Sequence, residues 1–333
     1  MKTSLVTGGA GFIGSHVSSE LIRAGHKVII LDDLSGGFTD QIPAGAHFVK
    51  GSILDQALVE ELFKINKFDY VFHLAAYAAE GLSHFIKHFN YENNLIGSIN
   101  LVNQSIVYKV KCFVFTSSIA VYGKGQLPMS EEMTPQPEDP YGIAKFAVEQ
   151  DLKSSHEMFG LNYIIFRPHN VYGENQNIGD RYRNVVGIFM NQLLQHKPLT
   201  IFGDGTQTRA FSYITDIAAC IASSVEVPAA FNQIFNIGAD SPTTVNELAR
   251  EVCLAMDMTS EINYEPARHE IAHVYASHIK GHRVFGKGQT TSLTTGLHRM
   301  ATWVKQHGAR KTSLFGKIEI LEKLPPSWLE KQD

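Results

Sequence analysis

The chain has 333 residues, 44% of them hydrophobic, and a formal net charge of -4. That supports one large domain or two modest ones with a substantial core, and it lacks the basic footprint of a nucleic-acid or anionic-membrane binder. No apolar run approaches the roughly 20 residues that a membrane span needs, and MKTSLVTGGAGFIG reaches glycines too early for a secretory signal.

TSLVT (3–7) reads as a buried strand. It is followed by TGGAGFIG, in which Gly8, Gly11 and Gly14 are spaced G-x-x-G-x-x-G. Small residues there let the backbone turn tightly, approach a pyrophosphate and seat a helix on the strand, with the helix N-terminus facing the negative charge. A glycine triplet alone is an ordinary strand–helix turn, so its context decides. Phe12, Ile13, Val17, Leu21 and Ile22 recur at helical spacing, and KVIIL (27–31) is a second strand ending at Asp32, 18 residues beyond Gly14. A carboxylate there accepts hydrogen bonds from the adenosine ribose hydroxyls and repels a 2′-phosphate, so the expected cofactor is NAD rather than NADP.

FDYVFHLAA (68–76) and KCFVFTSS (111–118) are further strands, separated by a long helical stretch over roughly 84–109. His84 and His88 share i, i+4 spacing there and read as a solvated or core-edge helix face rather than as metal ligands. LNYIIFRP (161–168) is the next strand, after a helix starting near Tyr141. This alternation predicts an α/β fold with a doubly wound parallel (Rossmann) sheet.

TSSIAVYG (116–123) and PYGIAK (140–145) carry the candidate reacting groups. Tyr141 and Lys145 lie four apart on one face at the start of a helix. An adjacent ammonium favours the phenolate, which makes Tyr141 a usable base near neutral pH. Ser118 ends a strand, where open α/β sheets present ligand-binding loops, and could bond the same substrate hydroxyl. In isolation Y-x-x-x-K is a surface helix pair; after a glycine loop, Asp32 and a strand-terminal serine it reads as catalytic.

Beyond Pro168 the pattern turns irregular, with glycine, asparagine and charge common over 170–184. IFNIG (234–238) reads as a strand and TTVNELAREVCLAM (243–256) as an amphipathic helix. The expected organisation is a dinucleotide-binding domain over 1–168 joined by about 209–237, with a smaller, interwoven α/β substrate domain from 169–208 and 238–310. Residues 311–333, with Pro325-Pro326, form a polar tail to which the sequence assigns no role. Cys112, Cys220 and Cys253 form no C-x-x-C pair and sit among apolar residues, which suggests core packing and a reducing, cytoplasmic location.

HEIAH (269–273) matches H-E-x-x-H, in which two histidines one helical turn apart hold zinc beside a glutamate base. Pro266 sits three residues upstream, NYEPARHEIAHVYAS lacks a long amphipathic pattern, and no convincing third ligand is nearby. The expectation is therefore no metal.

Taken together, TGGAGFIGSH, VIILDDLS, HLAA (73–76), NNLIGSINL (93–101), TSSIAVYG, YGIAK, RPHNVYG (167–173), IFGDGTQTRAFSYITDIA (201–218) and NIG (236–238) resemble the extended short-chain dehydrogenase/reductase superfamily. Within it the chain is similar to the NAD-dependent nucleotide-sugar epimerases and dehydratases of the UDP-galactose (UDP-glucose) 4-epimerase type, over roughly residues 1–305. The resemblance implies that Gly8, Gly11, Phe12, Ile13, Gly14 and Asp32 hold the NAD adenosine and pyrophosphate. Leu74, Ala75 and Ala76 would line the cofactor groove, with Asn94 nearby. Tyr141 would be the base, Lys145 would also hold the nicotinamide ribose, and Ser118 would assist. Asn170, Asn184, Arg209, Arg268, Glu270 and Val274 would meet the nucleotide sugar, with Arg209 and Arg268 on the diphosphate, Glu270 on the uridine ribose and Val274 walling the sugar pocket. HEIAH is then a coincidence around Glu270.

The chain departs from the family where an acid is usual and Ser52 stands, at Arg209-Ala210-Phe211 in place of R-D-F or R-D-Y, and at Ser277 in place of an aspartate. Family 4,6-dehydratases place an acidic pair beside the threonine and decarboxylases a glutamate; Thr116-Ser117-Ser118 has neither. The expected reaction is therefore 4-epimerisation of a UDP-hexose, the N-acetyl forms included. A UDP-glucuronate 4-epimerase, with Arg181 or Arg183 meeting the carboxylate, is the alternative, and a non-catalytic nucleotide-binding protein is a more remote one. The family also implies a homodimer pairing helices of roughly 84–109 and 141–159.

Overall fold

The computed structural model describes residues 1–180, 182, 184–267, 271–288, 290–309, 317–325 and 328. Its centre is a seven-stranded sheet built from β1 (Thr3–Thr7), β2 (Lys27–Asp32), β3 (His47–Lys50), β4 (Tyr70–His73), β5 (Cys112–Thr116), β6 (Tyr163–Pro168) and the strand Gln233–Ile237. The spatial order is Gln233–Ile237, β6, β5, β4, β1, β2, β3, and every neighbouring pair is parallel. The near-continuous apolar strands follow from burial on both faces. Val6, Ile30, Phe72, Val114 and Phe166 face one core with Val17 and Leu21 of α1 (Phe12–Arg23) and with the helix Ile214–Ser223. Their neighbours Leu5, Ile29, Val71, Phe113 and Ile165 face the other core, with Val59 and Phe63 of α2 (Gln56–Asn66), Leu101 of the helix Gly97–Val107 and Val148 and Leu152 of the helix Pro140–Phe159. Alternate residues along each strand thus serve opposite layers.

β1 lies between β2 and β4, so chain order reverses beside it. Loops at the carboxyl ends of strands flanking such a reversal frame a ligand crevice. The glycine loop leaves β1 there and Leu74-Ala75-Ala76 leave β4 there.

Two elements differ from the sequence expectation. β3, HFVK, has no apolar run, because it is an edge strand whose residues are half-buried or exposed. The stretch 84–109 is helical from Lys87 to Val107: Lys87–Tyr91 runs through a π-turn at Glu92–Ile96 into the helix Gly97–Val107. A separate short helix, Glu80–Ser83, precedes it; Ile86, fully buried with φ -137°, lies between the two, and π-turns inside helices recur at functional sites. His84 and His88 consequently do not share a continuous helix, and both are exposed.

The remaining strands come from separated parts of the chain. Ser212–Tyr213 pairs with Val171–Tyr172, Leu199–Phe202 with Ile262–Glu265, and Thr208–Ala210 with both Pro242–Thr244 and His273–Val274. The helix Val245–Met256 starts with a capping box, Thr244 and Glu247 each satisfying the other's backbone N–H. The described part of the tail is packed down: Leu324 and Trp328 are buried. No described helix is long and apolar enough to cross a membrane.

Candidate active site

The glycine turn is shaped by close backbone approach. Gly8 has φ +71°, and a Cβ there would lie 2.7 Å from the Ala75 nitrogen. A Cβ on Gly14 would lie 2.0 Å from the Gly8 carbonyl oxygen, so the helix start can sit on the turn only without side chains. The Gly11 N–H donates to Gly8 O at 3.1 Å, and Gly11 caps α1 with no side-chain cap and no acidic residue in the first turn. That end keeps its free N–H groups and positive dipole for an anion. Phe12, Ile13 and Leu74 pack at the edge of the core behind it.

Asp32 stands beside this turn. Its Oδ2 accepts from the Ala10 N–H at 3.0 Å and its Oδ1 from the Leu34 N–H at 2.8 Å. Burial raises its pKa, and the backbone donors oppose the shift. Each oxygen keeps acceptor capacity for a ribose hydroxyl. Ser52 accepts the Leu54 N–H at 3.2 Å, a local turn in place of the family's acid. The residues present fit a dinucleotide: a side-chain-free turn, an uncapped helix start and a carboxylate at the end of the second strand.

Asn94 lies in the π-turn. Its Oδ1 accepts the Tyr77 N–H at 2.8 Å, and its Nδ2 donates to Tyr77 O at 3.1 Å and to Asn90 Oδ1 at 2.9 Å. It fixes the chain just past Ala76 and so shapes the crevice from behind.

Tyr141 opens the helix Pro140–Phe159, whose start is set by Asp139 accepting the Gly142 N–H at 2.9 Å, with Pro140 in the first turn. At Gly142 a Cβ would lie 2.7 Å from Ala120 O, so the loop after Ser118 rests directly on this helix. Ser118 is half-buried, and its Oγ accepts the Ala120 N–H at 3.1 Å. Lys145 is 3% exposed; its Nζ donates to Thr116 O at 2.8 Å and lies 5.8 Å from the centre of the Tyr141 ring. Burial lowers the Lys145 pKa to about 7, against the pull of Glu149. Tyr141, Lys145 and Ser118 are therefore gathered at the carboxyl end of β5.

The residues expected to meet the nucleotide sugar are placed less uniformly. Asn170 has φ +40°, and its Nδ2 donates to Ala210 O at 3.3 Å. Asn184 caps the helix Val185–Leu194, its Oδ1 accepting the Val186 N–H at 2.9 Å while its Nδ2 donates to Val171 O at 2.8 Å. Arg209 reaches across its strand to Ala272 O at 2.8 Å and Ile271 O at 2.7 Å. Val274 is in register with Arg209 and packs against a cluster of Ile119, Val121, Tyr122, Met129 and Ala276, beside Ser118. Arg268, Glu270, Arg181 and Arg183 lie outside the described residues, as does His269. His273 lies in the strand His273–Val274, its Nδ1 2.9 Å from Thr208 Oγ1, where the zinc pentad would need a helix.

Three buried networks around the site were not read from the sequence. Glu149, fully buried, accepts from Ser117 Oγ at 2.6 Å and from Arg167 Nε and Nη2 at 2.9 and 2.5 Å. The signal was available, since Tyr141, Lys145 and Glu149 recur every four residues. His73 joins Thr7 Oγ1 at 2.7 Å to Ser98 Oγ at 2.8 Å, crossing from β4 to the strand and helix beside it; burial, with Lys145 next, holds its pKa well below the ordinary value. Finally, His169 Nδ1 lies 2.9 Å from Ala210 O, so it donates, and Nε2 accepts from His278 Nε2 at 3.0 Å. His278 Nδ1 meets Asp240 Oδ1 at 2.6 Å. Burial lowers His169 to about 4, keeping it neutral. No spacing rule links residues so far apart in sequence.

A family model described as NAD dependent epimerase/dehydratase family matches residues 4–238. The UDP-glucose 4-epimerase of Halalkalibacterium halodurans is 32% identical over 91% of this chain and 96% of its own length. Among solved structures, UDP-glucose 4-epimerase from Thermotoga maritima with UDP-glucose superposes with TM-score 0.87 at 34% identity, covering 91% of this chain and 99% of that one. UDP-glucuronic acid 4-epimerase from Bacillus cereus, in complex with UDP-glucuronic acid and NAD, superposes with TM-score 0.84 at 28% identity, covering 91% and 99%.

Proposed function

The chain belongs to the NAD-dependent epimerase/dehydratase family, and on that premise we propose that it interconverts the C4 epimers of a UDP-hexose through a transient 4-keto sugar. The observation that carries this reading is Thr116-Ser117-Ser118 at the end of β5. It brings a hydroxyl to the Tyr141–Lys145 helix and no carboxylate, so no side chain there is suited to deprotonating the sugar beyond its 4-hydroxyl.

The division of labour follows from the geometry. When bound, NAD supplies a reversible hydride acceptor; Gly8, Gly11, Phe12, Ile13, Gly14, Asp32, Leu74, Ala75 and Ala76 would hold it, with Asn94 setting the groove wall. Tyr141 takes the 4-hydroxyl proton. Lys145, in a site with little water, responds strongly to a phenolate next to it. Ser118 orients the hydroxyl. The second unit, which we assign to 169–208 and 238–310, would hold the nucleotide diphosphate with Arg209 and Arg268, the uridine ribose with Glu270, and further contacts with Asn170 and Asn184. Arg209 already bonds the chain leading away from 268–270, which supports a shared site for these residues.

Val274 sets the pocket's breadth in this reading. Its packing against Ile119 and Met129 beside Ser118 supports a place at the sugar, and a valine leaves space for a 2-acetamido group. The likeness to a UDP-glucuronic acid 4-epimerase favours a second reading, in which Arg181 or Arg183 meets a uronate carboxylate. Incubating the purified protein with UDP-glucose, UDP-galactose, their N-acetyl forms and UDP-glucuronate, without added cofactor, tests both. Interconversion of the hexoses supports the first reading, and turnover of the uronate alone replaces it.

A further inference from the structure

The C-terminal tail, polar in sequence, is built against the site. Leu324 and Trp328 form an apolar cluster with Ala79, Leu82 and Ile86, with Ile318 at its edge. The Trp328 ring meets Phe85 and Tyr182 edge-on, with centroids 6.1 and 5.2 Å apart. The backbone joins in: the N–H groups of Glu319 and Ile320 donate to Phe85 O at 2.9 and 3.1 Å, and the Glu319 carboxylate accepts from the N–H groups of His88 and Phe89, both at 2.9 Å.

The tail touches two segments that reach the crevice from opposite sides. One is 77–91, which follows β4 and is tied to the catalytic helix: Asn90 Nδ2 donates to Pro140 O at 2.8 Å, and Ser83 Oγ lies 3.5 Å from Asp139 Oδ1. The other is the loop holding Tyr182. That loop starts at the helix α1 end of the crevice, where Asn175 Nδ2 donates to Ser15 Oγ at 3.1 Å and Asn175 O accepts from Gln41 at 2.9 Å. At Tyr182 it meets the cluster formed with the 77–91 segment, and Trp328 sits at that junction. The relatives described above are matched over 96–99% of their length but over 91% of this chain, which agrees with an added element.

We propose that residues 317–325 and Trp328 form a strap that fastens Tyr182 to the 77–91 segment over the carboxyl end of the sheet, with Trp328 as a positioning residue for the nucleotide sugar. The proposal rests on the epimerase reading for its substrate. A strapped loop is ordered before the substrate arrives, so binding does not bear the cost of ordering it. The same strap keeps a 4-keto sugar from leaving before it is reduced.

The test compares full-length, NAD-containing wild type with Trp328→Ala and Trp328→Phe. Trp328→Ala should raise KM for the nucleotide sugar about tenfold, the cost of immobilising roughly one or two side chains, with a smaller change in kcat. Free 4-keto sugar should appear in solution, trapped with a hydrazine reagent. Hydrogen exchange should quicken in 77–91 and around Tyr182 while β1–β6 and the NAD content stay unchanged, and Trp328→Phe should restore most of each. Unchanged KM and exchange in Trp328→Ala would overturn the strap, and so would a uniform rise in exchange across the sheet with loss of NAD. If wild type turns over no UDP-sugar, the epimerase reading fails, and exchange together with UDP titration still decides the strap.

Discussion

Lys145 Nζ donates to the Thr116 carbonyl at 2.8 Å, which ties the helix bearing Tyr141 to the strand end bearing Ser118. The bond fixes the spacing of Tyr141 and Ser118, the proposed base and helper, through a group that is 3% exposed and holds its proton weakly for a lysine. Burial penalises the ammonium, and a Tyr141 phenolate would favour it. In the proposed mechanism the two groups would then share their protons as a pair.

A pH dependence follows. Below the apparent pKa the pair holds both protons and no base is available. Above it one proton is gone, and the phenolate–ammonium form can be populated. kcat should rise with pH through about 7, the Lys145 value. Lys145→Met should remove that limb and lower kcat by at least about 10²-fold, as expected for a disabled general base. A flat profile between pH 6 and pH 8 (roughly one unit either side of that value) would place the base elsewhere.

Asp32 makes a separate claim about the cofactor. Protein denatured after purification should release NAD, and Asp32→Asn should lose NAD affinity while tolerating NADP better, because the repelling charge is gone. The Ala10 and Leu34 N–H groups can still bond the amide oxygen in part, so the fold should survive. Recovery of NADP from wild type would contradict the argument from this carboxylate.

Much of this was legible in the sequence because it is local. The β1–glycine–α1 unit, Asp32 at the end of β2 and the Y-x-x-x-K turn are each specified by residues within one turn or one strand of each other. What was hidden depends on contacts between distant segments. The helix expected over 84–109 starts only at Lys87, because Ile86 just before it is held in a cluster completed by Leu324 and Trp328. The tail read as polar because, among its described residues, Leu324 and Trp328 are buried while most of the others are exposed. His169, His278 and Asp240 meet only when segments far apart in the chain are brought together. Arg209 was expected on a diphosphate, and its bonds to Ile271 O and Ala272 O, which organise the chain there, could not be read from the sequence.

In the proposed reading, substrate breadth turns on Val274. Val274→Tyr should suppress turnover of UDP-GlcNAc and UDP-GalNAc while sparing UDP-glucose and UDP-galactose, measured as kcat/KM for each sugar. Tyr275 follows the strand His273–Val274 and would take that place if the register were shifted by one. Rejection of the N-acetyl sugars by wild type would show that something other than this side chain walls the pocket.

The central claim is a 4-epimerisation in which hydrogen leaves C4 and returns to C4 with no proton taken from any other carbon. Running the reaction to equilibrium in deuterium oxide and reading the products by NMR tests this directly. The account requires C4 epimers carrying no deuterium on any ring carbon. Deuterium at C5, a 6-deoxy-4-keto product or loss of a carboxyl group would contradict it, because each needs a second proton-transfer group that the end of β5 does not provide.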